Sequence, residues 1–181
     1  MFLFTIAALF ATSVFSQKMI IRSGEMKFES TFPRALKEIA ATNKSVSCIF
    51  DKSNGDFLAQ AQVKAFKFKI PLMEEHFNEN YIESTTYPKA DFKGKIVGFD
   101  VSKLAANKPM TYDLEGNLTL HGATNKLKTK ITLTLVGTKI TATSNFSISN
   151  AAYKIDIPSL VRKKVTDEVK MELKFVLEEK K

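Results

Sequence analysis

The chain has 181 residues, a formal net charge of +8, and 44% hydrophobic against 25% charged residues, with 7 Gly and 5 Pro. That apolar content excludes a wholly disordered chain, the scarcity of Gly and Pro excludes a collagen-like one, and the length suits one ordinary domain. A single cysteine, Cys48, excludes an internal disulfide framework and any Cys-x-x-Cys metal or redox motif.

Residues 1–16, MFLFTIAALFATSVFS, form an almost unbroken apolar run without a charged side chain. The run is shorter than the roughly 20 apolar residues of a membrane-spanning helix. It ends in two small residues, Val14 and Ser16, in the spacing of a signal-peptidase site. This predicts a signal peptide over 1–16, a mature barrel domain over 17–181 beginning at Gln17, and a periplasmic or secreted destination. The first residues lack the usual Lys or Arg, so the competing readings are an uncleaved anchor and a buried N-terminal strand.

From Lys18 onward the dominant hydrophobic period is two, the mark of half-buried strands. The first strand carries Met26, Phe28 and Phe32. Pro33 to Ala40 breaks the period; Pro33 suits the first helical position and Leu36, Ile39 and Ala40 share a face, which predicts a short helix. Val46, Cys48 and Phe50 form the next strand, followed by a turn at Lys52-Ser53-Asn54-Gly55. Across Phe57 to Ile70 the apolar set moves from odd positions (Phe57, Ala59, Ala61, Val63) to even ones (Phe66, Phe68, Ile70), which predicts a β-bulge near Lys64-Ala65. Pro71 to Ile82 reads as a second short helix. Further strands follow at Ala90/Phe92/Ile96, Met110 to Leu120, Leu127 to Leu135, Ile140 to Ile148 and Val169 to Leu177. Gly137-Thr138 supplies the hairpin turn between the two before the last.

About eight strands with one apolar face each need a shared interior, and closure removes the exposed edges of an open sheet. The expected fold is all-β: a closed antiparallel barrel of about eight strands, lipocalin-like, with two short helices. Such a barrel is either filled by its own side chains or holds one small ligand. The 15 Phe residues serve both outcomes, lining a cavity or packing it shut.

Three stretches carry a family resemblance. Met73-Glu74-Glu75-His76-Phe77-Asn78-Glu79-Asn80-Tyr81 followed by Tyr87-Pro88-Lys89-Ala90-Asp91-Phe92 resembles the helix and strand entry of the YceI-like family of bacterial exported, lipocalin-like proteins. Gly116-Asn117-Leu118-Thr119-Leu120-His121-Gly122-Ala123-Thr124 is similar to that family's G-x-L-T-x-H-G-x-T turn, and Tyr153-Lys154-Ile155 with Val165-Thr166-Asp167-Glu168-Val169 to its ending. The chain departs from the family where Glu74-Glu75 replace an Arg-Asp pair and where the opening D-x-x-H-S motif is reduced to Gly24-Glu25-Met26-Lys27-Phe28. The resemblance implies a barrel around a long apolar tunnel and a carrier of polyisoprenoid or a similar amphiphilic lipid. The partner expected is therefore an isoprenoid or other long-chain lipid, with no cofactor. The ligand-binding candidates are the apolar-face residues Phe28, Phe66, Phe68, Phe92, Leu114, Leu118, Phe146 and Phe175, with Met73, Phe77 and Tyr81 from the helix that matches the family pattern.

Other chemistries find little support. His76 and His121 are the only histidines, and each is read as structural, His121 bonding a turn carbonyl. There is no nucleophile, base and orienting group in a recognisable pattern, so the chain is read as a non-enzyme without a metal site. Asp167-Glu168 are read as a turn followed by a solvated face. Lys126, Lys128, Lys130 and the Arg162-Lys163-Lys164 run are basic, yet the aromatics alternate to the opposite face, unlike the interleaved stacking platforms of nucleic-acid binders. They are read as a solvated exterior, with a narrower option that basic residues at one mouth meet a lipid diphosphate. The alternative function is a structural or stress-related interaction barrel with a packed interior. The long sheet leaves room for a homodimer. For the leader, N-terminal sequencing of protein recovered outside the cytoplasm is expected to start at Gln17, whereas Met1 retained on soluble protein would overturn the export reading.

Overall fold

A computed structural model describes residues 18–31, 38–159 and 165–179. The strands are β1 (Lys18–Thr31), β2 (Ala40–Asp51), β3 (Asp56–Gln62), β4 (Lys67–Phe68), β5 (Lys89–Ile96), β6 (Met110–Leu120), β7 (Ala123–Val136), β8 (Lys139–Ser149) and β9 (Val165–Glu179). Eight of them follow the order β1-β9-β8-β7-β6-β5-β3-β2, and β2 pairs back onto β1 to close the barrel; β4 extends the sheet beside β2. Every pairing among these strands is antiparallel. Closure rests on β1, where Phe28 pairs with Ala41 of β2 on one side and with Met171 of β9 on the other.

The alternation in the sequence fixes the faces. Leu114, Ile131, Leu133 and Leu173 are buried, Leu118 is half-buried, and Lys128 and Lys130 point to solvent. The outward lysines pair across strands: Lys128 reaches Glu115 at 3.0 Å and Lys130 reaches Asp113 at 2.6 Å. Two lysines of the basic stripe are thus half of a cross-strand charge ladder, while Lys126 stands opposite Asn117.

Two expectations of local structure need correction. The phase change after Phe57 does not come from a β-bulge. Val63–Ala65 form a 3₁₀ turn that ends β3 and starts the two-residue β4. The turn is pinned because the buried Val63 donates its N–H to the carbonyl of Pro88 at 2.9 Å. Irregularities sit instead on the neighbouring strands. In β1 the register shifts on both sides of Gly24. In β2 the inward set changes from Ala41 and Asn43 to Val46, Cys48 and Phe50. There Asn43 accepts the Ser45 N–H through Oδ1 at 2.9 Å and donates through Nδ2 to the carbonyl of Gln62 at 3.0 Å. The second correction concerns the Pro33–Ala40 helix: Ala40 opens β2, and residues 32–37 lie outside the described residues. Residues 1–16, where a leader is expected, and Phe32 and Arg162-Lys163-Lys164 lie outside them as well. The Pro71–Ile82 segment does form a helix, α1 (Pro71–His76), which runs into a π-helical turn over Phe77–Tyr81.

One half of the interior is filled by side chains. Phe50, Phe57, Ile96, Ile131, Leu133, Ile140, Phe175 and Leu177 are each at most 1% exposed. Phe99, from the β5–β6 connection, closes this end by meeting Phe50 edge-on at 4.9 Å and Tyr112 at 5.7 Å. Phe57 stacks on Phe175 at 6.2 Å and touches Phe92 at 6.4 Å, so rings cross the barrel at one level. Glycine makes room for them. A Cβ on Gly24 would stand 2.4 Å from Phe175 Cδ1, and a Cβ on Gly116 would stand 2.7 Å from Phe92 Cζ. Cys48 lies in this core, where burial pushes its thiol pKa far up and leaves the group a small apolar filler. Gly24→Ala is expected to lower unfolding stability by about 1–3 kcal/mol, since the methyl meets both the Phe175 ring and the Val46 carbonyl. Denaturant unfolding monitored by circular dichroism checks this.

Candidate functional site

Above the ring layer the same alternation leaves space instead of filling it. A cavity of about 480 Å³ occupies the other half of the barrel and reaches the surface beside α1, where Leu72 and His76 are exposed. Its walls are Met26 and Phe28 of β1, Val169 and Met171 of β9, Phe146 and Ile148 of β8, and Leu118 and Leu120 of β6. On β3 and β5 three of the inward residues at this level are alanines: Ala59 pairs with Phe92 and Ala61 with Ala90. Those alanines give the cavity its width.

The helix side of the mouth is built by a short chain of local causes. Ile70 is extended and Pro71 takes the first helical position, where its missing N–H costs nothing. Lys67 and the backbone N–H of Phe68 both bond the Glu74 carboxylate, which ties α1 to β4 and holds that carboxyl below the usual carboxylate range. Phe77 then packs among Phe28, Phe68 and Phe66, with ring centroids 5.4, 5.2 and 6.2 Å away. In the π-helical turn the Ile82 N–H reaches the Phe77 carbonyl at 3.0 Å. The wider turn brings Phe77, Tyr81 and Ile82 all to the cavity wall.

The opposite side of the mouth is tied by polar groups. His121 and Gly122 have φ of 49° and 71° and form a two-residue turn between the paired Leu120 and Ala123. His121 bonds the Tyr153 carbonyl through Nδ1 at 3.0 Å and the Glu83 carboxylate through Nε2 at 2.9 Å, while Tyr87 lies against its ring. One side chain therefore joins the β6–β7 turn to the segment after the helix and to the 3₁₀ turn Ala151–Tyr153. The expected turn-carbonyl bond of His121 is present. Asp167 and Glu168 are exposed, as expected, but lie within β9 rather than in a turn, and Asp167 accepts the Ser149 hydroxyl at 2.7 Å and the Ala151 N–H at 2.9 Å. It braces the same 3₁₀ turn.

Three polar side chains of the lining, Ser30, Gln60 and Asn150, are occupied with the wall. Ser30 Oγ and Asn150 Nδ2 both donate to the Thr166 carbonyl, at 3.0 and 3.1 Å, and Gln60 donates to Asp91 at 2.7 Å. What the cavity presents to an occupant is overwhelmingly hydrocarbon.

Of the residues singled out in the sequence, Phe28, Phe66, Phe68, Met73, Phe77, Tyr81, Phe92, Leu118 and Phe146 meet around this space. Leu114 and Phe175 do not. Both face inward, but they stand below the cavity, where Phe175 packs on Phe57 over Gly24 and Leu114 pairs into the filled half beside Ile96. Alternation tells in from out and is silent about height along the axis. Sequence reasoning also passed over Met26, Ile148, Val169 and Met171, which lie on the same apolar faces and were legible by the same period. His76, read as structural, stands exposed at the rim of the cavity.

A sequence profile described as YceI-like domain matches residues 13–177. No curated protein matches the chain. Among solved structures, a polyisoprenoid binding domain from Saccharophagus degradans implicated in plant cell wall breakdown superposes with a TM-score of 0.79 at 16% identity, covering 91% of this chain and 99% of that one. BcnA of Burkholderia cenocepacia gives a TM-score of 0.66 at 18% identity over 84% and 95% of the two chains. The Campylobacter jejuni YCEI protein gives 0.66 at 14% identity over 82% and 90%. These likenesses establish the barrel fold.

The tie between α1 and β4 has a pH dependence of known sign. Because the folded-state pKa of Glu74 lies below its ordinary value of 4.5, the tie is fully present above that value and is lost as pH falls through the folded pKa. Amide exchange of residues 72–76, corrected for intrinsic rates, is expected to rise below pH 4.5. Glu74→Gln is expected to show about two- to fivefold faster opening already at neutral pH, a modest effect because the pair is partly solvated.

Proposed function

The chain belongs to the YceI-like family, and we propose from that premise that its barrel binds one amphiphilic lipid, a polyisoprenoid or similar long-chain molecule, with the apolar tail inside. The observation that carries this is the half-hollow interior, an apolar cavity of about 480 Å³ above a barrel half filled by buried side chains. Hollowing a hydrophobic core forfeits dispersion contacts. A cavity of this size therefore favours a ligand that restores them. The solved relative from Saccharophagus degradans, described as a polyisoprenoid binding domain, supports the same ligand class.

The energetics suit a tail without strong polar anchoring. Each buried methylene contributes about 0.8 kcal/mol, so a modest chain binds tightly through burial alone. The headgroup stays at the mouth beside α1, the side on which His76 and Leu72 are exposed. The protein acts as a non-enzymatic carrier: lining side chains such as Ser30, Gln60 and Asn150 are tied to the wall and offer no nucleophile–base pair. Export follows from the leader over 1–16. The rival reading, a packed interaction barrel acting through its surface, predicts an interior filled at both ends alike.

Native mass spectrometry of protein purified under mild conditions is expected to show a discrete added lipid mass. Phe92→Asp, shown to be folded by circular dichroism, is expected to lose it, because the inward carboxylate would be desolvated against the tail. Wild type without lipid mass, under conditions in which a known carrier keeps its lipid, would overturn the carrier reading.

A further inference from the structure

We propose that Phe92, backed by Phe57 and Phe175, is a floor that sets the longest tail the barrel accepts; this rests on the lipid-binding reading above. On β5 and β6 the inward positions below Phe92 and Leu118 are the paired glycines Gly94 and Gly116, and below those stand the buried Ile96 and Leu114. At the glycine level the wall has no side chain of its own. The Phe92 ring folds away from the mouth into that gap. A Cβ on Gly94 would fall 2.5 Å from Phe92 Cζ, and one on Gly116 would fall 2.7 Å from the same atom.

Behind Phe92 the passage is blocked in series. Phe57 lies 6.4 Å from it, and Phe175 stacks on Phe57 at 6.2 Å with planes 18° apart, its ring seated over Gly24 on the far wall. Phe92 borders the cavity; Phe57, Leu114 and Phe175 do not. The barrel continues beyond this layer, but as packed core. Val165 near the mouth and Met171 near the floor both line the cavity. At about 3.4 Å per strand residue and a tilt of about 40°, the usable depth is on the order of 15 Å. A longer tail has to double back or leave part of its length in the mouth, where burial adds nothing to binding. The floor is a side chain in a glycine notch, so it is a specificity-determining residue rather than a property of the backbone.

The test is a chain-length series. Affinities of wild type for straight-chain fatty acids and for linear prenyl alcohols of increasing length are measured by displacement of a fluorescent fatty acid. Below the limit each added methylene is expected to tighten binding about fourfold; beyond it the gain per methylene falls toward none. In Phe92→Ala the break is expected to move to chains longer by one or more methylenes, with shorter chains bound no more tightly than before. Phe92→Leu, which keeps more of the packing, is expected to move it in the same direction by less, and circular dichroism establishes that each variant is folded. Independently of any variant, a fatty acid of the limiting length with a terminal diazirine is expected to label Phe92 or its cavity-lining neighbours Val46 and Ala59 in wild type.

Affinity that keeps rising with length without a break, a break that stays put in folded Phe92→Ala, or labelling of Leu114, Phe99 or Tyr112 would overturn the floor and leave lipid binding standing. Wild type that binds neither series at any length would overturn the lipid reading itself.

Discussion

The rings of Phe92 and Phe175 lie where side chains would stand if residues 94, 116 and 24 were anything but glycine. That fit divides the barrel. Below the ring layer, aliphatic and aromatic side chains are almost wholly buried and supply the burial that stabilises the fold. Above it, alanines on β3 and β5 face phenylalanines and methionines on β1, β8 and β9 across open space. A barrel hollow along its whole length would give up core at every level; this one concentrates its core in one half and thereby supports an unfilled half above it.

Polar chemistry around the cavity serves the wall. His121 ties three loop segments together, Asp167 braces the 3₁₀ turn after β8, and Glu74 anchors the helix that frames the mouth. Ser30 and Asn150 converge from different strands on one carbonyl, that of Thr166. Polar groups satisfied in this way rigidify a rim without projecting donors or acceptors into the interior. The cavity accordingly presents shape and hydrocarbon to its interior.

The period of two made the strands, the closed barrel and most of the lining legible, because burial on one face is what selects alternating side chains. It failed where the physics is carried by something other than alternation. The Val63–Ala65 turn and a β-bulge leave the same trace, a change of phase, and they are told apart by hydrogen bonds: the Phe66 N–H closes the turn on the Val63 carbonyl, and the Val63 N–H reaches Pro88. Leu114 and Phe175 are inward by pattern and outside the cavity by height. The reason is written in glycines, whose contribution is the volume they leave to a ring from elsewhere in the chain. His121 was readable as a turn residue because its sequence context is a turn, while its bond to Glu83 joins residues too far apart in the chain for any local signal. The bracing role of Asp167 is hidden for the same reason: its partners Ser149 and Ala151 lie on the preceding strand and turn.

The pairing of β1 with β9 has a consequence for how the protein comes into being. Met26 and Phe28 come from the beginning of the chain, Val169 and Met171 from its end, and the cavity wall is continuous only where they meet. Contacts of such sequence separation form slowly and late, after the local hairpins such as β6–β7 and β7–β8. During synthesis the N-terminal strand waits with one edge open until the final strand has been made. The chamber therefore belongs to the finished chain alone, and a polypeptide cut short before β9 has hairpins but no enclosed interior.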